Sequence, residues 1–337
     1  MAVRAFGPGR VNLVGEHTDY NDGLCLPFAI ALGVTVTATD GPPGRVRVLA
    51  RDLGEEDEFA LDAPGAAGGW RAFARGIVAE LGPGLRPATL TIEATLAQGA
   101  GLSSSAALEV ALALALLQHS GVAEPDRREL ARLCSRVEND WVGARTGLLD
   151  QLAALFGQAD AAIRIDMRDL AITPVPLELG DWTLVTVDSG ARHTHASSGY
   201  NERRAECRRA CELLGVASLR DATHAGARGL PDPLDRRALH VLGENARVEE
   251  AVAALRHGAL DELGALLDAS HASLRDLYDT SVPEVERTVA ELKRAGAAGA
   301  RMVGGGFGGS VLALVGPGVR APEGAVIVAP APSARLL

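Results

Sequence analysis

GRVNLVGEHTDY, residues 9–20, sets the strand-like run VNLV beside Arg10, Asn12, Glu16, His17 and Asp19. A loop that needed only turn chemistry would carry Gly, Asn and Asp. Here two carboxylates, an imidazole and a guanidinium stand between two apolar runs. That density of donors and acceptors suits a pocket rim that hydrogen-bonds many hydroxyls. A sugar stripped of water needs a partner for each hydroxyl, and a site built that way rejects analogues lacking them. A strand followed by a polar surface turn is the plainer alternative.

Outward from this stretch, VRAFG, VNLVG, CLPFAI, GVTVTATD, RVRVLA, EFALD and ATLTIEATL read as successive strands, several with alternating apolar and polar residues. The first hundred residues are therefore expected to be mostly β. Helices are expected over 104–119, 125–141 and 148–156, then strands near AAIRIDMR and WTLVTVDSG. A helix after Tyr200 that ends near Gly215, a loop HAGARGLPDP and three amphipathic helices over about 234–295 follow, with strands around ARMV, SVLALV and AVIVA. This order predicts an α+β fold rather than alternating βαβ units.

The 337 residues, 47% of them hydrophobic, suffice for two ordinary domains or one large one with real cores. A formal charge of −10 argues against a nucleic-acid partner, which needs clustered positive charge. A small anionic substrate remains compatible with it, because the field in a cleft need not follow net charge. The opening MAVRAFGPGR has no signal-type apolar region, and LEVALALALLQ is shorter than the roughly 20 residues of a membrane helix. A cytoplasmic protein is expected. Cys25, Cys134, Cys207 and Cys211 lack zinc-ribbon spacing and read as buried thiols, the last two at i, i+4 on one helix face with Leu214. Lys293 is the sole lysine and sits in the last turn of AELKRAG, where a cation suits the helix dipole. Phosphate binding must then rest on backbone amides, hydroxyls, arginine and metal.

GAGLSSSAA, residues 99–107, stands where a strand gives way to an Ala/Leu-rich helix. Glycines there let backbone amides approach a ligand, and a helix N-terminus favours an anion such as a triphosphate. A helix cap with redundant serines is the alternative. No lysine follows, so this is not a Walker loop, and Ser103, Ser104 and Ser105 must supply hydroxyls. Asp150 lies in the apolar TGLLDQLA and needs a partner; Arg10 is the expected one, an opposite charge that favours the ionised form. A capping acid after Gly147 is the bland reading. His193 and His195 have a spacing that some metal sites use, but no acid or cysteine stands at an obvious distance, so they are not read as ligands. GGGFGG, residues 304–309, satisfies G-x-G-x-x-G, yet a strand follows it rather than a helix, and too little chain remains for protein-kinase loops. It is expected to be a flexible turn that backs the first motif and closes over phosphates.

With the following NDGLCLPFAI, residues 9–30 resemble the signature of galactokinases, members of the GHMP small-molecule kinase superfamily. GAGLSSSAALEVALA (99–113) resembles their phosphate-binding loop, and MVGGGFGGSVLALV (302–315) their third motif. Similarity continues through GLLDQLAALFG, SSGYNERRAEC, HVLGENARVEE and SHASLRDLYDTSVPE, nearly the whole chain. The resemblance implies a two-domain α+β fold, a ribosomal-S5-like domain then a ferredoxin-like domain with an active site between them; the order of elements places the boundary near Gly180, giving 1–180 and 181–337. It implies that Asp150 takes the proton of a sugar's anomeric hydroxyl while Arg10 orients it and stabilises the transferred phosphoryl group. Glu16, His17, Asp19, Gly147 and Tyr200, with Asp150, match the sugar-binding residues. Gly99, Ala100, Gly101, Leu102, Ser103, Ser104, Ser105 and Ala106 match the nucleotide-phosphate loop. Ser105 and Glu138 match the Mg²⁺ ligands, a sparse set that suits an ion retaining waters and phosphate oxygens. On its residues alone Glu138 is equally a surface helix position. The implied reaction is Mg²⁺-ATP plus α-D-galactose giving galactose 1-phosphate and ADP, by a monomer with no nucleic-acid or membrane partner. A kinase for a related sugar such as N-acetylgalactosamine is one alternative. A galactose-sensing regulator is another, against which the intact SSSAA, Arg10 and Asp150 argue.

Overall fold

The computed structural model describes residues 2–96, 99–191 and 196–337, the side chains of 196–198 apart. β1 (Val3–Asn12) enters first, followed after the signature loop by the short β2 (Leu24–Cys25) and the long β3 (Pro27–Asp40). A hairpin of β4 (Arg45–Ala50) and β5 (Glu55–Ala60), helix α1 (Trp70–Leu81) and β6 (Ala88–Ala94) come next. β3 pairs antiparallel with both β1 and β6, and β6 pairs parallel with β4. The tail of the chain supplies one further strand to this sheet.

Helix α2 (Ser104–Ser120) packs against β1 and β3. Residues 106–117 are buried on every side and, apart from Glu109, apolar, as a helix trapped between a sheet and other helices must be. Leucines such as Leu112 and Leu116, wholly buried, each stabilise the fold by about 1.5–3 kcal/mol. Gly7 permits the close contact: a Cβ there would lie 2.0 Å from the Ala107 carbonyl oxygen. This explains why VRAFG and VNLVG are not two strands. Gly7 and Gly9 serve close packing rather than a turn, and β1 runs through them with an irregularity between Pro8 and Arg10.

α3 (Arg127–Arg136) is capped by Asp126, whose side chain accepts the Arg128 N–H at 2.9 Å. It passes into a π-helical turn, Val137–Val142, before α4 (Leu149–Phe156), so the helix expected over 125–141 is α-helical only in its first part. α1 is a second correction, a helix inside the region read as mostly β. β7 (Ala161–Asp166) and β8 (Ala171–Pro176) join β2 in a small sheet.

β9 (Thr183–Asp188), α5 (Ala196–Leu214), α6 (His224–Arg228), α7 (Leu234–His257), α8 (Leu260–Asp276), α9 (Pro283–Arg294), β10 (Ala297–Met302), β11 (Ser310–Val315) and β12 (Val326–Val328) follow. Tyr200 lies within α5, not before it. The second sheet, in the order β10-β11-β9-β12, is antiparallel, with α8 and α9 against β10. β13 (Arg335–Leu336) then crosses back and pairs with β1 at Ala5 and Phe6, making the large sheet β13-β1-β3-β6-β4-β5. Arg301, fully buried on β10, donates to the carbonyls of Asn12 and Leu13 at 2.8 and 2.7 Å and so binds the second sheet to the end of β1. Among the described residues no helix is long and apolar enough to cross a membrane.

Candidate active site

The end of β1 carries Arg10 to the head of α4, where its guanidinium grips Asp150 with both forks: Nε to Oδ1 at 2.7 Å and Nη2 to Oδ2 at 2.8 Å. Nη1 donates to the Gly101 carbonyl at 2.6 Å, so one buried arginine fixes both an acid and the glycine-rich loop. Asp150 retains 26% side-chain exposure and lines a cavity of about 270 Å³ with Ser103, Ser105, Glu138, Tyr200 and Gly304. The 140-residue pairing expected from sequence is thus made.

The loop leading into α2 is held from both sides. Arg10 N–H donates to the Leu102 carbonyl at 3.1 Å, and Ser310 N–H to Ala100 at 3.0 Å. Ser103 takes φ +63° and is buried with its hydroxyl unpartnered among the described residues, at the N-terminus of a helix whose first amides have no intrahelical acceptor. The wide π-turn carries Glu138 inward, where its carboxylate accepts from Thr146 Oγ1 at 2.7 Å, Gln151 Nε2 at 2.9 Å and the Ser105 hydroxyl. Burial, reinforced by Asp150, raises its pKa, and among the described residues no cation pairs with it. Gln151 also donates to buried Glu109 at 3.0 Å, whose pKa burial raises above its ordinary value. Sequence reasoning passed over both. The signal was there in Glu109, the lone acid on an otherwise apolar helix.

Asp19 and Gly147 meet: a Cβ on Gly147 would fall 1.9 Å from Asp19 Oδ2, so only glycine fits. Burial, then Asp150, then Glu16 raise the Asp19 pKa to about 7 against the opposing charge of Arg204. Tyr200 packs its ring 5.2 Å from His17 and 5.4 Å from Tyr20. His17 is buried beneath, its Nδ1 bonded to Tyr20 Oη at 2.8 Å and its Nε2 without a partner among the described residues. Burial holds that imidazole neutral, its pKa well below the usual value. Glu16 is also buried and is tied into the protein: its Oε1 accepts the Gly304 N–H at 2.9 Å and lies 3.4 Å from Arg301 Nη2. The third motif is the turn between β10 and β11, and Gly304, Gly305 and Gly306 line the cavity opposite Ser105.

A larger cavity of about 610 Å³, lined by Leu53, Trp70, Phe73, Ile92 and Leu108, opens beside Ser104 and Ser105. Its apolar wall includes α1, which the sequence reading had missed. Lys293 is remote from the cleft, paired with Asp268 at 2.6 Å. Cys25, Cys134 and Cys207 are buried thiols and Cys211 is half-buried, all unbridged. His193 and His195 lie outside the described residues. Among those described, no three His, Cys, Asp or Glu side chains converge as a metal cage. Five non-glycine residues near the cleft, His17, Asp22, Ser103, Arg145 and Phe307, take φ between +45° and +63°.

Fold and cleft together define a GHMP kinase. Sequence models described as the N-terminal and C-terminal domains of GHMP kinases match residues 70–158 and 251–327, and a galactokinase galactose-binding signature matches 2–39. The galactokinase of Thermotoga neapolitana is 42% identical over 316 residues, 93% of this chain and 89% of that one. The galactokinase of Mycobacterium tuberculosis is 44% identical over 325 residues, with 94% and 89% covered. A crystal structure of Lactococcus lactis galactokinase complexed with galactose superposes with a TM-score of 0.92 at 33% identity, over all of this chain and 95% of that one. The chain belongs to the galactokinase family. A mevalonate kinase of Methanococcus jannaschii, TM-score 0.69 at 19% identity, covering 94% of this chain and 90% of that one, shares the fold alone.

Proposed function

We propose that this chain transfers the γ-phosphoryl group of Mg²⁺-ATP to the C1 hydroxyl of α-D-galactose. The observation that carries the reading is the two-pronged Arg10–Asp150 pair at the mouth of a cavity whose other walls are the serine loop and Glu138. Asp150 accepts the proton of the anomeric hydroxyl. Arg10 holds Asp150 in place and draws charge from the phosphoryl group, so catalysis is mainly positioning and electrostatics, as a loose transition state requires. Loop amides at the head of α2 and the hydroxyls of Ser103 and Ser104 receive the phosphates. Trp70 and Phe73 offer an apolar wall for the base. Asp19, Gly147, Tyr200 and the unpartnered Nε2 of His17 face the sugar; Glu16, engaged with Gly304, joins that wall to the third motif. The division of the chain near residue 180 belongs to this reading, supported by β9, which is the first strand of the second sheet. So do a monomer and a cytoplasmic setting.

Ser105 and Glu138 fit Mg²⁺: both offer hard oxygens, and a buried carboxylate beside Asp150 with no cation paired to it among the described residues calls for positive charge. When bound there, the ion neutralises charge on the phosphates. Ser105→Ala and Glu138→Gln should therefore raise the Mg²⁺ concentration for half-maximal rate about 10- to 100-fold while moving the galactose KM little. Titrating Mg²⁺ at fixed ATP and galactose checks this, and the opposite pattern would reassign both residues to the sugar.

Asp19 gives a pH signature. Its raised pKa keeps a proton on it below about pH 7, which removes one acceptor from the sugar wall. The kcat/KM for galactose should thus climb with pH through about 7, and Asp19→Asn should lack that limb. A flat wild-type profile between pH 6 and 8 would place Asp19 outside sugar recognition. The reaction itself is tested by phosphorus NMR. An α-1-phosphate coupled to the anomeric proton, formed one-for-one with ADP, is expected. A 6-phosphate would overturn the substrate orientation, and no sugar-dependent ADP would overturn the enzyme.

A further inference from the structure

Arg204 stands one helical turn after Tyr200 on α5, so the two side chains leave the helix on the same face. It lies half-buried, and its Nη1 donates to the carbonyl oxygens of Arg145 and of Thr146, the latter at 3.1 Å. Asn139 Nδ2, from the π-turn next to that loop, shares the Thr146 oxygen at 3.3 Å. The guanidinium also rests 5.7 Å from the centre of the Tyr20 ring. A single cation therefore touches three segments at once: α5, the loop 143–147 and the signature loop at 19–20.

The loop it grips has an unusual backbone. Arg145 adopts φ +45°, a region side-chain-bearing residues enter only when something holds them there. Two residues on, Gly147 seats against Asp19 so tightly that no Cβ fits between them. Between the two, Thr146 donates to Glu138. A shift of this short loop is thus felt at Asp19, whereas Glu138 keeps its bonds from Gln151 and Ser105.

We propose that Arg204 is a positioning residue for sugar recognition, clamping the strained loop at Arg145 so that Gly147 seats Asp19 and setting its own charge beside that carboxylate. The inference rests on the reading of Asp19 as a sugar ligand. The groups that face Asp19 are Asp150 on α4, Glu16 in its own loop, Arg10 on β1 and Arg204 on α5, together with the Tyr20 and Tyr200 phenols and the Cys25 thiol. The Arg204 charge opposes the carboxylates and burial that favour protonation of Asp19, so its removal moves the acid limb of sugar recognition upward.

Three variants separate the clamp from the charge. Arg204→Met removes both. It should raise the galactose KM at least tenfold with the ATP KM within about twofold, and move the limb of kcat/KM for galactose up by at least half a pH unit. Arg204→Lys keeps a charge but gives up the planar fork, so the limb should stay near its wild-type position while the galactose KM rises. Adding Arg145→Gly to Arg204→Met lets the loop adopt its backbone without strain, so most of the KM loss should be recovered while the shifted limb persists. Hydrogen exchange of amides 143–147 in the ligand-free protein should quicken in Arg204→Met and slow again in the double variant. Unchanged exchange and galactose KM in Arg204→Met would overturn the proposal. So would ATP and galactose KM rising in parallel, the mark of a merely structural role. A wild-type protein that ignores galactose would instead sink the substrate reading, and the exchange measurement would still decide whether Arg204 holds the loop.

Discussion

Asp150→Ala should lower kcat for galactose by about 10²–10⁴, the usual worth of a positioned proton acceptor, with sugar and nucleotide binding changed only several-fold. The expectation follows from how completely the carboxylate is committed. Both oxygens are held by Arg10, and the group still lines the cavity between Ser105, Glu138 and Tyr200. Truncation also leaves the Arg10 charge buried without its counter-ion, which costs stability. Asp150→Asn, which keeps the volume and an oxygen for Arg10, separates that cost from chemistry. Both variants should be nearly inactive, but the asparagine variant should melt closer to wild type. Turnover by ADP release, calorimetric galactose binding and Tm measure the three quantities, and near-wild-type turnover in either variant would remove Asp150 from the mechanism.

Arg10→Lys comes second in expected effect. The three contacts of Arg10, two to Asp150 and one to the Gly101 carbonyl, come from the fixed geometry of one guanidinium. An ammonium cannot present two parallel donors to a carboxylate and a third to a carbonyl at once. Losing two charge-assisted bonds at about 1.5–3 kcal/mol each predicts a fall in kcat/KM of roughly 10²–10⁴ even though the charge is retained. Steady-state kinetics with each substrate varied in turn tests this. Equal activity in the lysine variant would show that the cation acts as a point charge and that the fork is incidental.

Much of this site was legible in the sequence because its chemistry leaves marks that apolar packing does not. An aspartate among leucines demands a partner, a serine-rich run at a helix start offers an anion site, and a loop crowded with carboxylates beside a strand demands a ligand. The fold was harder where glycine had two meanings. Gly7 and Gly9 look like turn residues, and only contact with Ala107 and Leu102 reveals that β1 continues through them. The apolar cavity escaped because WRAFARGIVAEL, helix α1, was not recognised, and its lining side chains come from segments far apart in the chain. Glu16 shows the limit of carrying a role from a motif: its carboxylate is engaged by Gly304 and Arg301, contacts that involve residues nearly 290 positions away. Gln151 and Arg204 were invisible for a related reason. Each acts through another residue's position, which no spacing encodes.

The left-handed residues around the cleft set two demands against each other. Glycine would take φ +63° at position 103 or +61° at position 17 without penalty, whereas serine and histidine there each cost of order 1 kcal/mol. Neither position is filled by the residue whose backbone takes that conformation most readily. Each is filled by one carrying a hydroxyl or an imidazole that the protein itself leaves without a full set of partners. At position 17 the buried imidazole, bonded to Tyr20 and packed on Tyr200 and Tyr278, outweighs that backbone cost, but a search for heat-resistant variants would converge on position 103, where glycine should yield a protein that melts later and works less. Durability and activity are separable at Ser103, and the sequence carries a reserve of stability there that it has left unused in favour of catalysis.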